Sequence, residues 1–441
     1  MRLSPRIVVP LLAALLVVAG LFTYFWFELH GAAYLANQSA HQPGSTLLAS
    51  DFERAQNADE PITNGTDRAL LHLRQGDLFA LEGDYKSAEQ EYRASVDAQG
   101  GLPALKKLAE AQLQRREMDA LRSTLDQMKS NGAAVEDILL FNVLIDLRTG
   151  ELEQAKTLLA QAGDSPQKHY GLAILSIIQG NNDAAKTELA LVANGWEPTL
   201  RTYAGILQDA YSEFALFPES RDIHLETLLA HALAEVQECE IALPILADVT
   251  KKQDDYRDAW IVQGYCELTT ERYDRALSSL ERAYALDPEK PEIQYFLGRT
   301  YAALNDPHNA TTFLQYALKN GFQPENEVRR MIAVEAQISG DLPMALDQLR
   351  SLATASGADL PSIANYVKVA LQLQNFDEAS KTAQNAVKKW PDDAQSYDIL
   401  GWTLAAQKNK TDAETAFEKA LQLDPTLDDA KQNLLNLGAA K

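Results

Sequence analysis

The chain has 441 residues, of which 46% are hydrophobic, and it carries a formal net charge of -22. The length exceeds one ordinary domain and the apolar content is ample for a folded protein. The excess of acidic residues argues against nucleic acid as a partner, because that binding depends on Lys and Arg that neutralise phosphate. Two cysteines are too few for a disulfide scaffold.

An uncharged apolar run follows a short basic amino terminus. Residues 1–6 contain Arg2 and Arg6, and the next 21 residues, 7–27, carry no charge and end in four aromatic residues. As a helix the run would measure roughly 31 Å, at about 1.5 Å per residue, which matches the hydrocarbon thickness of a bilayer. No Lys or Arg follows until Arg54. The positive-inside rule therefore predicts a single-pass anchor with residues 1–6 in the cytoplasm and the remainder extracytoplasmic.

A cleavable signal peptide is the alternative interpretation of this run. Small residues at 31–33 would allow cleavage before Tyr34, although the apolar core is longer than is typical of a signal peptide. Residues 28–67 have no sustained helical period and contain Pro43, Gly44, Pro61 and Gly65, which indicates a polar spacer.

Helical periodicity begins after the spacer and continues to the carboxyl terminus. Residues 68–196 are predicted to form an amino-terminal array of helical hairpins, marked at irregular spacing by Ala88, Ala120, Ala155 and Ala185. Residues 197–222 hold one helical stretch, 199–211, without a clear partner. This segment is either a degenerate repeat or a break between two arrays.

Residues 223–427 carry the clearest pattern, which returns every 34 or 35 residues. The recurrence is marked by alanines at Ala276, Ala310, Ala345, Ala379 and Ala413, and a weaker unit surrounds Ala242. A fixed period of this size predicts a stacked array of identical supersecondary units. Residues 428–441 are predicted to form a capping helix.

Glycines occur in the same register inside the first helix of three units, although glycine costs about 1 kcal/mol against alanine there. These glycines are Gly264, Gly298 and Gly401. We expect each to face an alanine of the partner helix, namely Ala276, Ala310 or Ala413. Such an arrangement would allow the two helices to approach closely.

The motif resembles that of the tetratricopeptide repeat (TPR) family, W-x2-L-G-x2-Y followed by A-x3-F and a terminal proline. One unit supplies Trp260, Gly264, Ala276, Leu280 and Pro288. Another supplies Tyr397, Leu400, Gly401, Ala413, Phe417 and Pro425. The resemblance implies an all-α fold, an α-solenoid of about eleven stacked helical hairpins (a TPR superhelix), here preceded by one transmembrane helix.

Sequence motifs for catalysis are missing: the chain has no Gly-rich phosphate loop, H-E-x-x-H, G-x-S-x-G or C-x-x-C motif. His231, Glu235 and Cys239 would share a face only on one continuous helix, and the family register places a helix break near Glu238. We therefore predict no metal site, no cofactor and no enzymatic activity. Cys239 and Cys266 are either a disulfide between adjacent units or two small buried hydrophobes.

In the family the first helix of each unit lines a concave groove. Projected onto this sequence, the candidate partner-binding residues are His231, Ile261, Tyr265, Tyr295, Arg299, Arg330, Lys368 and Trp402. Aromatic and arginine side chains are the types that dominate binding energy at protein interfaces. The lysine and asparagine ladder by which some relatives bind a peptide carboxylate is not assembled here.

The resemblance implies a non-enzymatic, membrane-anchored scaffold that binds protein or peptide segments. The acidic rim predicts that these segments are basic. Cell-envelope assembly, secretion and protein quality control are the processes that such an architecture favours. The alternative is a regulatory subunit attached to a separate membrane-associated enzyme.

Overall fold

The computed structural model describes residues 65–81, 83–217 and 219–439, and these residues form 22 α-helices without a β-strand. The predicted all-α array of helical hairpins is confirmed. The predicted membrane span, residues 7–27, lies outside the described residues. None of the described helices is both long enough and apolar enough to cross a bilayer.

The helices fall into two compact units, with the boundary between Gly171 and Leu172. The first unit contains α1 (Gly65–Leu81), α2 (Tyr85–Asp97), α3 (Gly101–Gln114), α4 (Met118–Ser130), α5 (Val135–Thr149) and α6 (Leu152–Gln161). Consecutive helices pair as hairpins, α1 with α2, α3 with α4 and α5 with α6. The first helix starts three residues before the array start predicted at residue 68.

The boundary falls inside α7 (Pro166–Ile178), and the second unit contains most of the remaining chain. Its helices are α8 (Asn182–Ala193), α9 (Pro198–Ala215), α10 (Asp222–Glu235), α11 (Cys239–Lys252), α12 (Arg257–Thr269), α13 (Tyr273–Leu286), α14 (Pro291–Ala303), α15 (Pro307–Lys319), α16 (Glu325–Ser339), α17 (Leu342–Thr354), α18 (Leu360–Gln372), α19 (Phe376–Lys389), α20 (Ala394–Ala406), α21 (Lys410–Leu423) and α22 (Asp428–Ala439). From α10 to α21 the helices pair into six hairpins, and α22 packs on α20 and α21.

The turn inside each hairpin has one geometry. One residue takes a left-handed conformation, and in most hairpins the amide of the next residue donates to a carbonyl five residues back, as in a Schellman motif. In α12–α13, for example, Glu271 has φ 60° and the Arg272 amide donates to the Glu267 carbonyl at 2.8 Å. Side chains then cap several following helices: the Asp306 carboxylate accepts from the Asn309 amide.

Small residues lie at the centre of the hairpins. The repeat-marking alanines Ala88, Ala155, Ala185, Ala242, Ala276, Ala310, Ala345, Ala379 and Ala413 are all fully buried. Ala120 is the exception, since it is only half-buried and its neighbour Leu121 takes the fully buried position. The register predicted for that hairpin is therefore wrong by one residue.

The glycines permit close helix approach as predicted, but their main partners are larger than alanine. A Cβ atom on Gly264 would lie 2.5 Å from the Leu280 Cγ, and one on Gly298 would lie 2.6 Å from the Leu314 Cγ. On Gly401 a Cβ atom would collide with the ring of Phe417. The prediction that each glycine mainly contacts an alanine of the partner helix is therefore wrong. Each glycine instead accommodates the large residue four positions after the buried alanine.

We predict that Gly298→Leu lowers the free energy of unfolding by roughly 1–3 kcal/mol or more, because the added side chain overlaps Leu314. Gly205→Leu is the matched control, since Gly205 lies inside α9 and a Cβ atom added there would have no neighbour within 4 Å. The control should be neutral or stabilise by about 0.5–1 kcal/mol through helix propensity. Urea denaturation followed by circular dichroism measures both, and equal effects would contradict the close approach.

Candidate binding surface

The candidate binding surface is the exposed side of the first helices α10, α12, α14, α16, α18 and α20, which we call the inner face. First helices contact one another directly from α10 to α12, from α12 to α14 and from α18 through α20 to α22. Among the described residues, no comparable contact joins consecutive second helices. Because first helices lie closer together, the stack is locally concave on the inner face.

The helix α16 is the exception: within the described chain it makes no direct contact of similar extent with the first helices α14 and α18. Side chains from the turn before α16 occupy this region. The Phe322 ring stacks on the Tyr295 ring of α14, with centroids 4.1 Å apart and planes 15° apart. The Tyr295 hydroxyl also donates a hydrogen bond to the Glu327 carboxylate of α16. Side-chain contacts thus connect α14 and α16 where direct helix packing lapses.

Aromatic rings extend this contact towards α12. Phe296 lies 5.3 Å from Tyr265 and 5.6 Å from Tyr295, measured between ring centroids. The Arg299 guanidinium lies 5.7 Å from the Tyr295 centroid, within cation–π range. Burial raises the pKa of the Tyr265 phenol, so that hydroxyl remains neutral and able to donate a hydrogen bond. We call Tyr265, Phe296, Tyr295, Phe322 and Arg299 the aromatic cluster.

The structure brings three of the predicted site residues together, namely Tyr265, Tyr295 and Arg299. Tyr295 is not available as an open contact, since only 4% of its surface is exposed. Burial raises the pKa of its phenol, and the hydrogen bond to Glu327 raises it further. Its prediction as a partner contact is therefore corrected: Tyr295 supports the inner face, whereas Tyr265 and Arg299 remain partly exposed.

The other predicted site residues lie on separate first helices. His231 on α10 is exposed, with its Nδ1 atom 3.5 Å from a Glu235 carboxylate oxygen. Ile261 on α12 is half-buried against the core around Leu280. Arg330 on α16 is exposed, and its guanidinium lies 3.9 Å from the Asp359 carboxylate. Lys368 on α18 is exposed, and Trp402 on α20 is half-buried against the core of the last hairpins.

A buried carboxylate lies beside Trp402. Asp398 is 3% exposed and accepts a hydrogen bond from the Asn433 Nδ2 of α22 at 3.0 Å. Burial raises the pKa of Asp398, and the nearby Asp429 carboxylate raises it further, while hydrogen bonds from Asn433 and Trp402 lower it. Asp398 therefore connects α20, the first helix of the last hairpin, to α22.

Phe296, Phe322 and Glu327 are inner-face residues that the sequence did not reveal. Phe296 directly follows Tyr295 in the sequence, so its position next to the inner face could have been predicted. Phe322 lies in the turn between α15 and α16, which the repeat pattern treats as a spacer, and Glu327 lies in the first turn of α16. The stacking of a turn residue on the preceding first helix has no signature in the repeat motif.

The remaining chemical candidates do not form a site. In the described residues no three His, Cys, Asp or Glu side chains are grouped closely enough to hold a metal ion. His231 and Glu235 end α10, whereas Cys239 begins α11, so the expected helix break separates them. Cys239 and Cys266 are both buried thiols. Of the two alternatives for these cysteines, the structure matches the small buried hydrophobes.

We predict that Asp398→Asn stabilises the protein at neutral pH. The raised pKa means that ionising Asp398 opposes folding, and asparagine removes this opposition while it can still accept from Asn433. The gain should be small below the ordinary pKa of 3.8 and should grow as pH rises through the folded pKa. Thermal unfolding of the variant and the parent chain across pH measures this difference.

Asp424→Asn is the control, for which we expect the opposite effect on stability at neutral pH. Hydrogen bonds from the Thr426 hydroxyl and amide lower the pKa of Asp424. Its ionised form therefore favours folding above pH 3.8, and this contribution is lost as the pH falls through the lowered folded pKa. A pH-independent effect of Asp398→Asn would contradict the assignment of Asp398 as a buried titrating group.

Comparison with known families identifies the repeat. Two tetratricopeptide repeat families match, one at residues 227–291 and 367–428 and the other at residues 268–333. The peroxisomal targeting signal receptor of Candida albicans is 24% identical over 271 residues, 56% of this chain and 45% of the receptor. The receptor of the same name from Saccharomyces cerevisiae is 23% identical over 215 residues, 46% of this chain and 35% of the receptor. Each match spans less than half of the relative's length.

Solved structures with a similar fold include YrrB, described as a TPR protein with an unusual peptide-binding site. It has a TM-score of 0.37 and 18% identity, covering 42% of this chain and 96% of YrrB. Yeast Tom70 has a TM-score of 0.30 and 15% identity, covering 84% of this chain and 95% of Tom70. At these values the likeness concerns the fold alone. On the family matches, residues 227–333 and 367–428 of this chain are tetratricopeptide repeats.

Proposed function

We propose that this chain is a non-enzymatic scaffold whose inner face binds a segment of a partner protein. The observation that carries the proposal is the aromatic cluster, where Tyr265, Phe296 and Arg299 are partly exposed beside Tyr295, which is buried and stacked on Phe322. A preorganised aromatic surface binds with little loss of side-chain entropy, because its rings are already held in place. The targeting-signal receptors among the sequence relatives support a targeting signal of another protein as the ligand.

The inner-face charges favour a different partner from the one that the net charge predicts. Arg299, Arg330 and Lys368 place positive charge along three neighbouring first helices. Glu327 is exposed but accepts a hydrogen bond from the Tyr295 hydroxyl, and Asp398 is buried. We therefore propose a segment with apolar and acidic side chains, in place of the basic segment expected from composition.

The proposed scaffold is attached to a membrane by residues 7–27, with its repeats extracytoplasmic. The support is the length of the uncharged run and the positions of Arg2 and Arg6. In this setting the scaffold serves cell-envelope assembly, secretion or protein quality control. A regulatory subunit for a membrane-associated enzyme would use the same surface, and the identity of the bound protein distinguishes the two.

We predict that Tyr265→Ala weakens capture of the partner roughly tenfold or more, equivalent to about 1.4 kcal/mol. An aromatic side chain buries about 150–250 Å² in an interface, which makes this loss a conservative value. Tyr316→Ala is the matched control, since Tyr316 is 43% exposed on the second helix α15. Binding of the purified full-length chain to the captured partner measures both variants, and equal losses would contradict inner-face binding.

Photo-cross-linking identifies the partner and tests the surface independently. A photoreactive residue replaces Lys368 on α18 or, as a control, Lys381 on α19, both of which are exposed lysines. In detergent-solubilised membranes we expect a specific adduct from the first position only. The same adduct in equal yield from both positions would exclude the inner face as the binding site.

We also predict that an enzyme reporter active only outside the cytoplasm is active when fused after Lys441, and that the full-length chain remains in the membrane fraction. The charge asymmetry around residues 7–27 is the physical reason. A fusion active only in the cytoplasm would contradict the orientation. A product that begins at Tyr34 would contradict the anchor and leave the orientation intact.

A further inference from the structure

The single helix α9 interrupts the alternation of first and second helices. The buried marker alanines before and after α9, Ala185 and Ala242, are 57 residues apart, whereas Ala242 and Ala276 are 34 apart. The difference of 23 residues accommodates α9 and its turns, and α9 contacts α8 before it and α10 after it. The array therefore contains one inserted helix, α9, that has no partner of its own in the repeat register.

One stripe of α9 packs into the array. Leu200, Ala204, Leu207 and Tyr211 follow one another at three- and four-residue steps and are all buried. The Tyr211 hydroxyl donates to the Asn182 side-chain oxygen of α8 at 3.0 Å. This stripe attaches the helix to the array.

A second apolar stripe runs beside the first and remains half-exposed. Tyr203, Ile206 and Phe214 are only partly buried, although they too recur at helical spacing. Large apolar side chains at both ends of α9 extend this surface: Trp196 is 75% exposed and Phe217 is 51% exposed. A surface helix of a globular protein ordinarily buries one stripe, so the exposed parts of the second, largest at Trp196 and Phe217, offer additional apolar surface to another element.

The carboxyl end of the stripe is held in place by an aromatic group. The His224 ring lies 6.0 Å from Phe214 and 5.9 Å from Phe217, measured between centroids. The His224 Nδ1 atom also lies 2.9 Å from the Tyr256 hydroxyl oxygen. Phe217 is thus ordered against α10 although half of its surface is exposed, which favours binding because little side-chain entropy remains to be lost.

The charge around the stripe is acidic. Residues 196–222 contain five acidic residues and two basic residues. Asp209 is exposed and follows Ile206 by three residues, so it borders the stripe on the helix surface. Glu219 is also exposed, next to the apolar end at Phe217. An apolar stripe with this border is complementary to an apolar stripe bordered by Lys or Arg.

We propose that the second stripe of α9 is a docking surface for a basic amphipathic helix of a partner protein, which takes the place of the missing hairpin partner. A helix suits the surface because every hairpin of this array pairs helices in the same way. The 18 residues of α9 span roughly 27 Å at about 1.5 Å per residue, so a helix of about five turns matches it. This surface is separate from the aromatic cluster of the inner face.

The test uses the full-length chain and a synthetic peptide of 18 residues, the length of α9. The peptide has leucines along one helical stripe and lysines elsewhere, and a scrambled peptide of the same composition controls for charge. We expect saturable binding of the patterned peptide and a blue shift of the Trp196 fluorescence, isolated by subtracting the spectrum of Trp196→Phe. Binding of both peptides with equal affinity would overturn the proposal.

Substitutions locate the binding surface. The double variant Trp196→Ala, Phe217→Ala should weaken peptide binding roughly tenfold or more, and Asp209→Lys should weaken it and reduce its salt dependence. Leu435→Ala is the matched control, since Leu435 is an apolar residue on α22 that is 67% exposed. Tyr265→Ala should bind the peptide as the parent chain does, so this test is independent of the inner face.

Three results would overturn the proposal: no saturable binding, unchanged binding by the double variant, or self-association through the stripe. Sedimentation of the full-length chain over a range of concentrations detects the last case. A dimer that the double variant abolishes would identify a second copy as the occupant. The alanine substitutions at Trp196, Phe217 and Leu435 remove exposed side chains, and circular dichroism of each variant tests whether the helices are retained.

Discussion

Close packing between the two helices of a hairpin is the constraint on which the array depends. Where Gly264 or Gly298 lies on the first helix, a leucine of the second helix fills the space that any side chain would need. The same packing of a large residue against a glycine recurs at Gly401 and Phe417. Because each hairpin is built by this contact, its two outer surfaces have a defined shape on which the next hairpin can stack.

Much of the fold was predictable, because the repeat has a fixed period and its small residues are confined to fixed positions. Nine of the ten alanines that mark the repeat are fully buried, and the left-handed residue in each hairpin turn lies where the helical period breaks. Ala120 shows the limit of the argument. When a hairpin has lost most of its motif residues, either of two adjacent apolar residues satisfies the pattern, and only packing selects Leu121.

The candidate surface was less predictable, because exposure depends on neighbours that the repeat pattern does not describe. Tyr295 lies on the predicted helix and face, yet a turn residue, Phe322, covers it. Glu267 illustrates the same limit inside the array. It stands where the family motif has tyrosine, and it is buried with hydrogen bonds donated by the Ser279 hydroxyl at 2.6 Å and the Gln263 side-chain amide at 3.3 Å. Burial raises the pKa of this carboxyl, a property that no motif position encodes.

The lapse of direct contact at α16 has a consequence for how the second unit responds to strain. In a stack where each hairpin touches only its neighbours, cooperativity is transmitted through the interfaces between hairpins. At α16 the inner side of that interface consists of a stacked ring pair and one hydroxyl–carboxylate hydrogen bond. On the other side of the same interface, Leu314 and Ala317 of α15 are buried in one core with Val328 and Ile332 of α16. A bulky ligand on the inner face would therefore loosen the side-chain contacts between α14 and α16 before it disturbed the buried core between α15 and α16.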